Sequence, residues 1–249
     1  MNKVARVTFA FWIMKVCATT LGETAGDLLS MTMHVGYALS SVILLGLFAA
    51  SLAGQLASRK FHPALYWTVI LTTSTAGTTM SDFMDRSLGL GYFKGSLILS
   101  ACLVGVLAIW RAVEGTLSVT TIRTTRSELF YWTAILCSNT LGTALGDYLA
   151  DDSGLGFLGG AVVIGGLIAL VAVASQITKI NRVALFWIAF VLTRPFGATF
   201  GDLLTKPLAR GGLDFGTIGS SLILGGLLLT FVTITHLRER RATALGLAE

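Results

Sequence analysis

Apolar residues run through this chain in stretches of twenty or so, each interrupted by only a few polar positions. The stretches lie near 7–29, 37–58, 64–83, 92–113, 128–150, 157–178, 183–204 and 215–236. A helix of about 20 apolar residues crosses a hydrocarbon core of ~30 Å. The pattern therefore predicts an all-α membrane protein with eight transmembrane helices, and 1–249 reads as a single transmembrane domain. Within each successive pair the first stretch is rich in Thr, Ser and Asp, and the second is almost free of charge.

The polar positions repeat. Trp12, Trp67, Trp132 and Trp187 each follow an aromatic residue (Phe11, Tyr66, Tyr131, Phe186). Ten residues beyond each Trp stands a glycine (Gly22, Gly77, Gly142, Gly197), and fifteen beyond stands an aspartate (Asp27, Asp82, Asp147, Asp202). The residue before each Asp is small: Gly26, Ser81, Gly146 and Gly201. Successive copies start 55, 65 and 55 residues apart, as if a duplicated pair had been duplicated again. The four tandem two-helix repeats run 7–58, 64–113, 128–178 and 183–236, and the extra residues fall in the 114–128 linker "EGTLSVTTIRTTRSE". Each repeat reads as a helical hairpin. Two spans per copy make every copy enter the membrane in the same direction, so the copies are related by an axis along the membrane normal. A pseudo-four-fold ring follows, polar first helices inward and plain second helices toward lipid, because polar residues avoid lipid.

Positions eight, eleven and fifteen after the Trp share a helix face, being three and four apart. They are Thr20, Glu23 and Asp27 in the first copy, Thr75, Thr78 and Asp82 in the second, and Thr140, Thr143 and Asp147 in the third. The fourth copy reads Pro195, Ala198 and Asp202, and the proline is expected to kink its helix. Glycine at ten and the small residue at fourteen make a small-xxx-small face that lets helices approach closely. Glu23, Lys15 and Arg194 lie deeper in their spans and occur in one copy each. Ionisable groups at such depth face a cavity or pair with one another. Closing the ring makes the first and fourth copies neighbours, so Arg194 is expected to reach Glu23 or Asp27, and Lys15 joins the same charge network.

Five interior acids (Glu23, Asp27, Asp82, Asp147, Asp202) then face two bases, an excess that attracts cations. Carboxylates and threonine hydroxyls are hard oxygen ligands, suited to Mg²⁺, Ca²⁺ or Mn²⁺. Cys17, Cys102 and Cys137 all fall within spans with no CxxC, and His34, His62 and His236 have no metal-ligand spacing. There is no Walker A sequence to drive transport with ATP. No cofactor is expected apart from a bound divalent cation.

The chain is 54% hydrophobic and 12% charged, with a mean hydropathy of +0.78, whereas soluble domains carry about 25% charged residues. Its formal charge of +5 is explained by distribution rather than by nucleic acid. Lys3, Arg6, Arg59, Lys60, Arg111, Arg123, Arg126, Lys179, Arg182, Arg238, Arg240 and Arg241 fall on the side bearing both termini. The other side has only Arg86, Lys94, Lys206 and Arg210, and it collects Asp85, Asp151, Asp152 and Asp214 besides the repeated aspartates. Short basic loops are cytoplasmic, so both termini are expected in the cytoplasm. Lys3 and Arg6 before an apolar run imitate a signal peptide, but Lys15 and Glu23 interrupt the run and the segment is the first repeat, so it is expected to be retained.

The Trp-to-Gly-Asp repeat resembles a bacterial family of uncharacterised "membrane-anchored" polytopic repeat proteins, over nearly the whole chain. Glu23-Thr24-Ala25-Gly26-Asp27 is loosely similar to the acidic Glu-x-Gly-Asp motif of cation/proton exchangers, with one residue more. That likeness implies only shared chemistry. The expectation is a bacterial inner-membrane protein that moves a cation, a divalent metal ahead of a monovalent one, as a secondary transporter. Two alternatives stand beside it: a cation or proton channel, and a non-transporting scaffold or sensor whose charges hold the ring together. No nucleophile–base pair suggests an enzyme. The expected partners are the bilayer and the cation, and homo-oligomer formation is left open.

Overall fold

The computed structural model describes residues 3–58 and 60–244, the side chains of Glu239 and of residues 241–244 excepted. Arg59 and the Arg241 side chain, counted in the charge asymmetry, lie outside the described residues, as do the two ends of the 1–249 domain. The described residues form eight α-helices and no strand: α1 (Phe9–Asp27), α2 (Tyr37–Ala57), α3 (Pro63–Asp82), α4 (Tyr92–Glu114), α5 (Thr125–Asp147), α6 (Gly156–Ile177), α7 (Arg182–Thr205) and α8 (Thr217–Ala244).

Local chemistry sets the starts. The side chains of Thr8, Thr124 and Asn181 accept the backbone N–H groups of Phe11, Ser127 and Val183, and Pro63 occupies the first turn of α3, where no N–H is needed. A wide π-helical turn follows α1, α3 and α5 (Leu28–Thr32, Phe83–Ser87, Tyr148–Asp152). Gly36, Gly91, Gly156 and Gly216 then open the next helix at positive φ, a conformation that suits glycine. The chain is thereby carried sideways before it turns back.

The sideways step corrects the hairpin expectation. α2 packs chiefly against α3, α4 against α5, α6 against α7, and α8 returns to α1. Each second helix therefore buttresses the first helix of the following repeat rather than its own. The odd-numbered helices make a closed circuit: α1 touches α3 and α7, and α5 touches the same two.

Glycines explain how closely that circuit packs. A Cβ on Gly77 would lie 2.9 Å from the backbone of Asn139, and one on Gly197 would lie 2.7 Å from the backbone of Thr19. Gly22 meets Ser74 and Gly142 meets Arg194 in the same way, so the glycine ten beyond each Trp faces the residue seven beyond the next. One turn on, Gly26 meets Thr78, Gly146 meets Ala198 and Gly201 meets Glu23. The small-xxx-small face is thus the seam between neighbouring inner helices.

Among the described residues, five helices are long and apolar enough to cross a membrane: α2, α4, α6, α7 and α8. The Thr, Ser and acidic residues of α1, α3 and α5 lower their hydropathy, yet these helices are the ones enclosed by the others. The 114–128 linker is not a free loop. Val119 and Ile122 are buried, and Trp187 donates its indole N–H to Leu117 O at 3.0 Å. Nearby, Lys3 pairs with buried Glu128 at 2.6 Å and ties the N-terminal segment to α5.

Candidate functional site

Because each odd helix presents a stride of four residues to the enclosed interior, the interior is built in levels. Three residues beyond the tryptophans stand Lys15, Ile70, Ile135 and Phe190; seven beyond stand Thr19, Ser74, Asn139 and Arg194; all eight side chains are fully buried. Eleven beyond come Glu23, Thr78, Thr143 and Ala198, and fifteen beyond come the four aspartates, none more than 4% exposed. Toward the tryptophan end the aromatic level closes the interior, with Tyr66 and Tyr131 sharing a hydrogen bond of 2.7 Å between their hydroxyls.

At the middle of this ladder Arg194 reaches Glu23, as closing the ring requires, with Nη2–Oε2 at 2.9 Å. The same nitrogen donates to the hydroxyls of Thr78 and Thr143, the latter at 2.7 Å. Arg194 is at 0% and Glu23 at 3% exposure, so breaking this pair would strand a charge. Lys15 does not join it. Its Nζ has no hydrogen-bond partner and lies 4.1 Å from the Phe190 ring centroid, a cation–π contact.

The aspartates are held two by two. Arg86 binds Asp82 at 2.9 Å and Asp147 at 3.0 Å, while Lys206 binds Asp27 at 2.6 Å and Asp202 at 3.0 Å. Both bases lie four residues after their own aspartate, in the second and fourth repeats, and each bridges to the aspartate of the next repeat in the circuit. Burial opposes the charged forms of both, but Asp82 and Asp147 raise Arg86, and Asp202 and Asp27 raise Lys206, above their ordinary values. Beside Arg86, burial pushes Asp85 up to about 6, with the Ser81 hydroxyl and Arg86 working against the shift.

These bases correct the expected charge balance. Sequence position puts Arg86 and Lys206 in outer loops, but the π-helical turn after α3 and the C-terminal cap of α7 bring them back onto the carboxylates. Five interior acids therefore face four bases, Lys15, Arg86, Arg194 and Lys206, rather than two. The threonine stripe is corrected as well. Thr78 and Thr143 meet Glu23 and Arg194, but Thr20, Thr75 and Thr140 bond only to carbonyls of their own helices. Sequence reasoning named Arg194 but missed the rest of its level seven beyond each Trp, Thr19, Ser74 and Asn139, and the inward role of the bases nineteen beyond. Extending the four-residue stride from Asp through Glu23 in both directions finds both.

Oxygens of Glu23, Asp147 and Asp202, from three different repeats, lie within 4.8 Å of one another. Asp27 and Asp82 belong to the bridged pairs but not to this convergence. Three carboxylates at this spacing suit a hard cation. Each already holds a base: Arg194 on Glu23, Arg86 on Asp147, Lys206 on Asp202. A cation entering here has to displace at least some of them.

No curated protein and no solved structure matches the chain. A family model described as "Repeat of Unknown Function (DUF347)" matches four times, at residues 10–61, 65–116, 130–181 and 185–241. Those matches take in most of the chain and fall on the four Trp-to-Asp repeats, and the protein belongs to that repeat family.

Proposed function

We propose that the chain is a membrane carrier for a hard divalent cation, with Glu23, Asp147 and Asp202 as its ligands. In this reading all eight helices span the bilayer, the four repeats surround one pseudo-four-fold axis, and both termini face the cytoplasm. The convergence of three buried carboxylate oxygens from three repeats within 4.8 Å carries the proposal. Arg194, Arg86 and Lys206 act as internal counter-ions that occupy the carboxylates when the cargo is absent. A carrier is preferred to an open channel because the fully buried Tyr66, Tyr131 and Phe190 side chains leave no continuous polar path at their levels in this reading.

Uptake of Mn²⁺, Mg²⁺ and Ca²⁺ by proteoliposomes tests the reading. Asp202→Asn and Glu23→Gln are expected to reduce uptake at least tenfold while the protein remains folded. Flux equal to that of empty liposomes would overturn it. One observation favours a second reading, a non-transporting scaffold: each of the three carboxylates already has a basic partner. Under that reading no cation flux is found, and the same substitutions alter stability alone.

A further inference from the structure

The seam between α1 and α7, where the first and last repeats meet, carries a long groove outside the polar interior. Two cavities of about 650 and 500 Å³ share Trp12, Val16 and Ile168, so they form one trough along α1 and α7, walled by α6 and, over the smaller cavity, by α8. Its floor is apolar, with Phe186 and Leu185 toward one end and Phe196 and Phe231 toward the other. The two threonines on its walls return their hydroxyls to their own helices, Thr20 to Val16 O and Thr193 to Phe190 O.

The remaining polar side chains gather at one end. Ser175, Gln176 and Arg182 line the larger cavity there, and exposed Lys179 belongs to the same α6–α7 connection. Arg182 donates one N–H to Ser175 O, which tethers the guanidinium at the mouth. A guanidinium has five donors, so others remain for a phosphate. On the larger cavity's α7 wall, Arg182 to Thr193 covers about 17 Å at 1.5 Å per residue, close to one leaflet of a ~30 Å core. The bias of Lys and Arg puts this end at the cytoplasmic surface.

We propose that this groove holds an anionic phospholipid of the cytoplasmic leaflet. Its acyl chain lies along Trp12, Val16 and Ile168, and its phosphate rests on Arg182. The charge at the mouth selects the headgroup, since bases at a membrane surface attract anionic lipid, and the apolar trough takes the chain. A smaller groove of about 250 Å³ between α3 and α8, lined by Ala64, Trp67 and Leu228, has no base on its walls and serves as an internal contrast. The lipid would brace the seam between the helices that carry Glu23 and Arg194, and the proposal does not depend on which ion crosses.

The protein supplies its own reporter. Trp12 is partly exposed in the groove, whereas Trp67, Trp110, Trp132 and Trp187 are each at most 5% exposed. Quenching by lipids brominated on the acyl chain therefore reads Trp12 first. The full chain is placed in nanodiscs of unlabelled phosphatidylcholine, and brominated phosphatidylglycerol or brominated phosphatidylcholine is added in increasing mole fraction. Half-quenching is expected at about five-fold lower mole fraction for the anionic lipid, the factor that ~1 kcal/mol per surface base gives. The preference should shrink in high salt. Arg182→Gln should abolish it without moving the phosphatidylcholine curve, and Trp12→Phe should remove most of the quenchable signal. Coincident curves for the two lipids, a preference that survives Arg182→Gln, or most of the quenchable signal retained in Trp12→Phe would each overturn the proposal.

Discussion

The inner and outer helices invert the rule of a water-soluble protein. α2, α4, α6 and α8 are apolar along their length, yet only 22%, 22%, 22% and 11% of their apolar windows is buried. Leu47, Leu97, Leu170 and Leu222, each more than half exposed, face outward. α1, α3 and α5 are too polar to count as membrane spans by hydropathy, yet they enclose fully buried Lys15, Thr78 and Asn139. Where hydrocarbon replaces water, exposed leucine costs nothing and a carboxylate has to find partners inside. Among these helices hydropathy falls toward the enclosed interior, where the buried polar side chains gather.

The sharpest way to break that comparison is to disturb a charge on an inner helix. Arg194→Gln leaves Glu23 buried without its basic partner and close to the Asp147 and Asp202 carboxylates, and breaking a buried pair in this way costs about 3–5 kcal/mol. The double variant with Glu23→Gln removes both charges and should recover most of the loss. A leucine trimmed on an outer face, Leu97→Val, should stay within about 0.5 kcal/mol. Thermal unfolding in detergent, read as a double-mutant cycle, checks this. Additive losses at Glu23 and Arg194 would show that the pair is not coupled.

A second contrast lies within the inner helices themselves. Thr78→Val deprives Arg194 of an acceptor, and hydrogen bonds to charged groups contribute about 1.5–3 kcal/mol. Thr20→Val removes only a bond to Val16 O of the same helix and should change stability by less than about 0.5 kcal/mol. Equal effects from the two, measured by the same unfolding transition, would mean that the inward face has been misassigned.

Close approach separates the two sets of helices as well. Gly197→Ala sets a methyl against the backbone of Thr19, which cannot rotate away, and overpacking of this kind costs about 1–3 kcal/mol. Gly46 on α2 has nothing within 4 Å of where its Cβ would stand. Gly46→Ala should be neutral or stabilise by up to about 1 kcal/mol through helix propensity. Similar losses for both would remove the distinction between a packed seam and a lipid face.

The repeat, the glycine seam and the Arg194–Glu23 pair were legible because they depend on spacing and on which copies become neighbours. The side of each helix that faces the axis was less legible. At 3.6 residues per turn a stride of four drifts by about 40° per step, so positions seven and eight beyond the Trp compete for the inward direction. Position seven wins: Asn139 donates across to the Thr73 hydroxyl, whereas Thr140 bonds back to Leu136 O of its own helix. Arg86 and Lys206 were hidden for a different reason. They follow the aspartates into what reads as a loop, and the π-helical turn that holds Arg86 and the helix cap that holds Lys206 return them to Asp82 and Asp202. The partner of each second helix was hidden too, because nothing in the sequence states how far sideways the turn after each first helix, π-helical after α1, α3 and α5 and a short 3-10 turn after α7, carries the chain.

The smallest expected effect falls where inner and outer helices meet. Asp85 lies in the turn between α3 and α4, accepts the Ser81 hydroxyl at 3.1 Å, and stands where a side chain on Gly95 of α4 would collide with it. Burial pushes its carboxyl from 3.8 up to about 6. For an acid whose value is raised on folding, the folded state favours the protonated form. The stability it contributes is fully present below about pH 4, near the ordinary aspartate value, and is lost as pH rises through about 6. Asp85→Asn keeps the shape without the titration, so the gap in unfolding temperature between wild type and variant should move against the wild type between pH 4 and pH 7. The change should flatten above pH 7, where Asp85 is ionised in both states. Parallel curves across that window would place Asp85 in contact with water and assign the junction to the solvated surface rather than to the boundary between the two sets of helices.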